Sequence, residues 1–178
     1  MNREKAILIC ADDFGYSPGV NEAIINLLRH HKIGACSVMV KGGISNEHRN
    51  YLINSSYPLG LHLDLTHFHK VAYPNNIILI GLLLRMRLLN CSKLRMEISN
   101  QIKKFKEIFN RYPDFIDGHQ HVHQFYSVYD ELISLCSELD LNKHIWVRDS
   151  RDKTRSLKAK IIDYLTSDKF DTLNASYE

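Results

Sequence analysis

Short apolar runs of four to six residues recur along the 178-residue chain, and segments with helical spacing separate them. That alternation is the feature that most limits the fold. Ala6-Ile7-Leu8-Ile9-Cys10 is too short for a buried helix and reads as a strand buried on both faces. Ser17-Pro18 then opens a helix, with Ser17 placed as its cap and Ala23, Ile24, Leu27 and Leu28 as its apolar stripe. Cys36 to Val40 forms a second strand, broken by Gly42-Gly43, and a weak helix over Glu47 to Asn54 follows. Gly60 to Leu65 is a third strand. A long helix over Ser92 to Asn110 carries Leu94, Ile98, Ile102, Phe105 and Phe109 at helical spacing. Phe115 to Gly118, a helix over Val128 to Leu139, and Ile145 to Arg148 complete the pattern, with one weak amphipathic helix over Leu157 to Leu165. Strand and helix in this order mean parallel strands joined by crossovers. The expected class is α/β, with about five parallel strands in a single domain spanning 1–178.

Residues 67 to 91 interrupt the alternation and read as a long irregular insertion. Ile77, Ile78, Leu79, Ile80, Leu82, Leu83 and Leu84 within it cannot all face water. The insertion is expected to lie over the site or to pack on another subunit as a homodimer. That apolar run is far shorter than the about 20 residues a membrane span needs. Ala6 to Ala11 is too short for a signal-peptide core. No two of Cys10, Cys36, Cys91 and Cys136 form a CxxC pair, so a thiolate zinc site is not expected, and reduced thiols suit a cytoplasmic protein. A net charge of +3 is too balanced to indicate nucleic acid. The basic run Arg151, Lys153, Arg155, Lys158 and Lys160 is interleaved with Asp152 and lacks aromatic residues, so it reads as a solvated helix face.

In parallel α/β folds, chemistry gathers at the carboxyl ends of the strands. Three strands here deliver polar residues to that end. Asp12-Asp13-Phe14-Gly15 follows the first strand, and two adjacent carboxylates there need a hydrogen-bond, cation or metal partner. A plain turn or helix cap is the bland alternative. His62 interrupts a leucine-rich strand, and Asp64, two residues on, shares its face and could orient its ring. Asp117-Gly118-His119-Gln120-His121-Val122-His123 is the strongest local signal: if extended, residues 117, 119, 121 and 123 share one face. One carboxylate and two imidazoles make a common divalent-metal set. A carboxylate outside that set could act as the base for metal-assisted hydrolysis. Alternation does not choose among His119, His121 and His123.

The segments Ala11-Asp12-Asp13-Phe14-Gly15-Tyr16-Ser17, Gly60-Leu61-His62-Leu63 and Asp117 to His123, in this order, resemble the YdjC-like carbohydrate deacetylases, which include the chitooligosaccharide deacetylases. The resemblance covers residues 5 to 149 and implies a (β/α)-barrel-like fold. It implies one divalent metal, Mg²⁺ or Zn²⁺, and removal of N-acetyl groups from an acetylated amino-sugar oligosaccharide. Carried over motif by motif, Asp13, His62 and His119 become the metal ligands and Asp12 the general base. His121 and His123 become residues that either support the ligands from behind or face the substrate, and either could supply the proton to the leaving amine. Arg148 stands where the family tends to place an arginine near its site. The family's last third carries a His-Pro-Gly-like segment, and no proline here follows a histidine. The expectation is therefore a member without its C-terminal third. A different outcome is a metal-holding remnant of weak activity that acts as a carbohydrate-binding or interaction protein.

Overall fold

The computed structural model describes residues 7–68, 76–141, 145–150, 157–167 and 169–170. Its five strands are β1 (Cys10–Phe14), β2 (Ala35–Val38), β3 (Leu59–Leu63), β4 (Phe115–Gly118) and β5 (Trp146–Val147). The helices are α1 (Pro18–Arg29), α2 (Asn46–Asn54), α3 (Ile77–Arg85), α4 (Cys91–Phe109), α5 (Val128–Glu138) and α6 (Leu157–Leu165). The strands pair in chain order, β1-β2-β3-β4-β5, and every pairing is parallel. A doubly wound sheet reverses strand order and opens a crevice at that switch point. No reversal occurs among these strands. Each βα unit lies beside the previous one, as in a (β/α) barrel, so the site belongs to the loops at the carboxyl ends.

Most elements follow from the sequence pattern. Ser17 Oγ accepts from the Val20 N–H at the start of α1, and Pro18 sits in the first turn. Ile24, Ile25 and Leu28 turn inward, while Leu27 stays 40% exposed, so Ile25 replaces it in the stripe. All five expected apolar positions of α4 are buried. Asn110, with φ 57°, closes that helix in the left-handed conformation.

β1 differs from its expectation. Ile7, Leu8 and Ile9 are 90%, 52% and 58% exposed, and the strand starts only at Cys10, paired with Ala35. Asp12 and Asp13 therefore lie inside the strand rather than after it. The register shifts between Ala11 and Phe14, and Asp13 takes φ 65°. This bulge turns two consecutive carboxylates out of the ladder, a common device beside active sites.

The turn after β1 is packed backbone to backbone. Gly15 has φ 102°, and its N–H donates to Asn21 Oδ1 at 2.6 Å. Asn21 is buried on α1 and donates to the Gly43 carbonyl at 2.7 Å, tying the two glycine turns together. A Cβ on Gly42 would lie 1.8 Å from the Gly15 carbonyl oxygen. Gly42→Ala should therefore push the Asp-Asp turn aside and lower stability by roughly 1–3 kcal/mol, the range for overpacking. Urea unfolding checks this, and a change under half a kcal/mol would mean the turn yields freely.

The reading of 67–91 as irregular is corrected. Residues 69–75 lie outside the described ones, and Ile77–Arg85 is helical, capped by Asn76. The run is apolar nearly all round, so it lacked the periodicity that marks a helix. Ile80 and Leu84 are buried and Gly81 lies against Leu165 of α6, whereas Ile78, Leu79 and Leu82 are 45%, 44% and 39% exposed. Residues 151–156 of the basic run, and Ala6 at the start of the first apolar run, also lie outside the described residues. Among the described residues, no helix is long and apolar enough to cross a membrane.

Candidate active site

Four strands and the residue directly after the fifth supply polar side chains to one cluster. β1 gives Asp12 and Asp13, β2 gives Ser37, β3 gives His62, β4 gives Asp117, and Arg148 directly follows β5. His119 follows β4. The register aligns His62 with Asp117 across the parallel pair. The His62 Nδ1–H donates to Asp117 Oδ1 at 2.7 Å, and Ser37 Oγ lies 3.1 Å from the same nitrogen. His62 Nε2 is 3.0 Å from Asp13 Oδ1, and His119 Nδ1 is 2.9 Å from that same oxygen. One ligand atom each from Asp13, His62 and His119 falls within 4.8 Å of the others.

Electrostatics follow from these contacts. Burial disfavours a charged His62, but Asp117 and Asp13 on its two nitrogens outweigh it and push its pKa up to about 9. The bonds from His119 and His62 hold the Asp13 carboxyl far below the usual carboxylate range, despite partial burial. The arrangement fits a divalent cation. Asp117 fixes the His62 tautomer, as carboxylates behind metal-bound histidines do, and Nε2 faces the shared carboxylate oxygen. A carboxylate with two imidazoles suits the first-row divalent ions. The Asp13 side chain is 37% exposed, so the cluster is open to a ligand from solvent.

A second group, Cys10, Asp12 and Asp117, also converges. Arg148 already fills it. Its Nη1 donates to Asp12 Oδ1 at 2.7 Å and to Asp117 Oδ2 at 2.9 Å, and Nη2 donates to Asp12 Oδ2 at 2.7 Å. Burial, together with Asp117 and Asp12, pushes the Cys10 thiol up to about 12, which keeps it protonated and a poor ligand. Asp12 is thus not free, as the motif alone would have it. Burial opposes its charge, yet the bond and charge of Arg148 hold its carboxyl below the usual range.

The extended reading of 117–123 is corrected. The strand ends at Gly118, and His119–Gln124 form tight turns with Gln120 at φ 53° and His121 at φ 63°. The four groups therefore point in different directions. Asp117 lies beneath His62, His119 reaches Asp13, and His121 is half-buried. His123 is fully buried, and its Nε2–H donates to the Arg148 carbonyl at 2.8 Å. Burial lowers its pKa to about 4, so it is a neutral anchor for the residue that holds Asp12, not a group facing solvent. Asp64 also differs. Its carboxylate accepts from the N–H groups of Thr66, His67 and Phe68, each at 2.8 Å, and shapes the loop after β3, while Asp117 takes the His62 ring. Three residues at the cluster carried no expectation of their own: Ser37, Tyr16 and His67. Tyr16 and His67 stack with ring centroids 4.3 Å apart, and each lies about 6 Å from the His119 ring. Only the strand register could have pointed to Ser37 and to the Asp117–His62 pair.

A sequence profile described as YdjC-like protein matches residues 6–177. The chain belongs to the YdjC-like family. Among the relatives of this YdjC-like chain, a chitooligosaccharide deacetylase of Serratia marcescens is 31% identical over 136 residues, covering 71% of this chain and 53% of that protein. The Yersinia enterocolitica chitooligosaccharide deacetylase is 29% identical, over 78% of this chain and 58% of its own. A mouse carbohydrate deacetylase is 28% identical, over 66% of this chain and 42% of its own. The YdjC-like chain thus spans about half the length of these curated relatives. A crystal structure from Enterococcus faecalis V583, described as a candidate cellobiose-phosphate cleavage protein, superposes with a TM-score of 0.61 at 22% identity. It covers 89% of this chain and 62% of that one, and bears on the fold alone.

Proposed function

We propose that this YdjC-like chain is a metal-dependent hydrolase that removes N-acetyl groups from N-acetylglucosamine-containing oligosaccharides. One divalent ion, Mg²⁺ or Zn²⁺, would be held by Asp13, His62 and His119. The observation that carries this reading is the convergence of their three ligand atoms within 4.8 Å from β1, β3 and the turn after β4, with Asp117 behind His62. The names of the relatives point to the same substrate class.

When bound, such an ion supplies positive charge for the acetyl carbonyl oxygen and makes a nearby water more acidic. Asp12 is the proton acceptor for that water, with a carboxylate about a third exposed and its direction set by the Arg148 fork. Arg148 also keeps Asp12 and Asp117 from repelling each other across the cluster. His123 holds the Arg148 backbone from behind. The water oxygen adds to the carbonyl carbon, the C–N bond breaks, and the departing amine takes a proton. His121, half-buried on the turn next to His119, is the proposed donor of that proton.

One observation favours a second reading, a metal-holding carbohydrate binder with weak turnover: Arg148 lowers the basicity of Asp12. Calorimetric titration with Zn²⁺ and acetate release from N,N′-diacetylchitobiose separate the two. His62→Ala and His119→Ala are each expected to weaken Zn²⁺ at least about tenfold, since even supporting residues behind metal ligands are worth about 10–100-fold. Unchanged affinity in both variants rejects the ligand assignment. Tight Zn²⁺ binding by the wild type with no acetate release selects the second reading.

A further inference from the structure

We propose that Tyr16 and His67 form a wall on which the pyranose ring beside the reacting amide stacks, making them specificity-determining residues; this rests on the deacetylase reading above. Both rings are delivered by the turns that build the cluster itself. The Tyr16 N–H donates to the Asp13 carbonyl at 2.9 Å, so the turn that orients Asp13 also orients Tyr16. The His67 N–H donates to Asp64 Oδ1 at 2.8 Å, and the neighbouring N–H groups of Thr66 and Phe68 hold the same carboxylate. Two independently anchored loops thus meet in one ring pair, with centroids 4.3 Å apart and planes 25° from parallel. The pair borders His119, whose Nδ1 lies on Asp13: centroids are 6.2 Å from Tyr16 and 6.1 Å from His67.

Core packing does not account for the pair. Tyr16 is 41% exposed although His67 covers one of its faces, and His67 is exposed too. Phe68 packs edge-on against His67, with centroids 4.6 Å apart, yet the pair still presents exposed aromatic surface beside a cluster of carboxylates and imidazoles, which suits a ligand that is apolar on one side and polar around its rim. A pyranose ring has that character. Its C–H groups carry slight positive charge and favour the negative face of an aromatic ring, while its hydroxyls reach outward. The Tyr16 hydroxyl adds a donor and acceptor at the edge. A small acetamide without a sugar ring would gain nothing from this wall.

The test uses the Zn²⁺-loaded 178-residue chain and N,N′-diacetylchitobiose. Tyr16→Ala and His67→Ala should each weaken disaccharide binding roughly three- to tenfold by calorimetry, the range that corresponds to one aromatic contact. They should raise KM for acetate release, with kcat and Zn²⁺ affinity near the wild-type values. Tyr16→Phe keeps the ring and should bind within about twofold of wild type. Both alanine variants binding the disaccharide like wild type would overturn the wall and leave the deacetylase reading standing. Loss of Zn²⁺ affinity along with the disaccharide in both would also overturn it, because the pair would then be structural. A wild type that holds Zn²⁺ but neither binds nor cleaves the disaccharide overturns both this proposal and the reading beneath it.

Discussion

Asp12→Asn is expected to cut acetate release by roughly 10²–10⁴-fold while leaving Zn²⁺ affinity close to wild type, the range for losing a positioned general base. Shape is conserved and basicity removed. Asp12 lies outside the Asp13, His62 and His119 group, so the change takes no atom from the proposed ion. It does disturb Arg148, which now donates to both Asp12 oxygens, because an amide can accept on only one side. Arg148 keeps its bond to Asp117, so the fork should tilt rather than collapse. The Arg148 contact cuts both ways. It keeps Asp12 fully ionised near neutral pH, and it makes that carboxylate a weaker base than one poised near the working pH. Modest turnover in the wild type is thus compatible with a real role for Asp12. Turnover in the variant within about threefold of wild type would reject the role, being far below the range for a general base.

The α/β order was legible because parallel strands buried on both faces show up as continuous apolar runs. β4 and α6 have the bounds that pattern predicts, and α4 differs by one residue at each end. The three motifs were legible as well, since polar residues that interrupt apolar strands have few bland explanations. Backbone conformations that only neighbouring elements can impose were not. The bulge at Asp12-Asp13 depends on pairing with β2, so in the sequence the apolar run before it reads as the strand. Alternation over 117–123 presumes an extended chain, and two residues with positive φ break it. Asp64 looked like the partner of His62 because local spacing shows only neighbours along the chain. The actual partner, Asp117, lies 55 residues away and is brought there by register. Arg148 was visible as an arginine near a strand end. Its fork onto two carboxylates depends on five strands closing on one point.

Arg148→Met should be the most destabilising single change in this cluster, by about 3–5 kcal/mol in the metal-free protein, the range for breaking a buried ion pair from one side. The guanidinium lies between Asp12 and Asp117, and their burial differs. Asp12 is about a third exposed, so water screens that half of the interaction. Asp117 is 1% exposed, and without Arg148 its remaining partner is His62, which Asp13 also engages. Asp117 and Asp13 would then share the His62 ring, with the Asp12 carboxylate left close by without its cation. Arg148→Lys restores the charge without the fork and should recover only part of the loss. Acidity should narrow the gap. The Asp12 carboxyl is depressed in the folded chain, so its contribution is complete above the ordinary carboxylate pKa and is lost as pH falls through the lower folded value. The difference between wild type and Arg148→Met should therefore be full at neutral pH and shrink below about pH 4. Urea unfolding at the two pH values measures it. A loss under about 1 kcal/mol at neutral pH would give Arg148 the small value of an exposed pair, and with it remove the reason Asp12 is held in place.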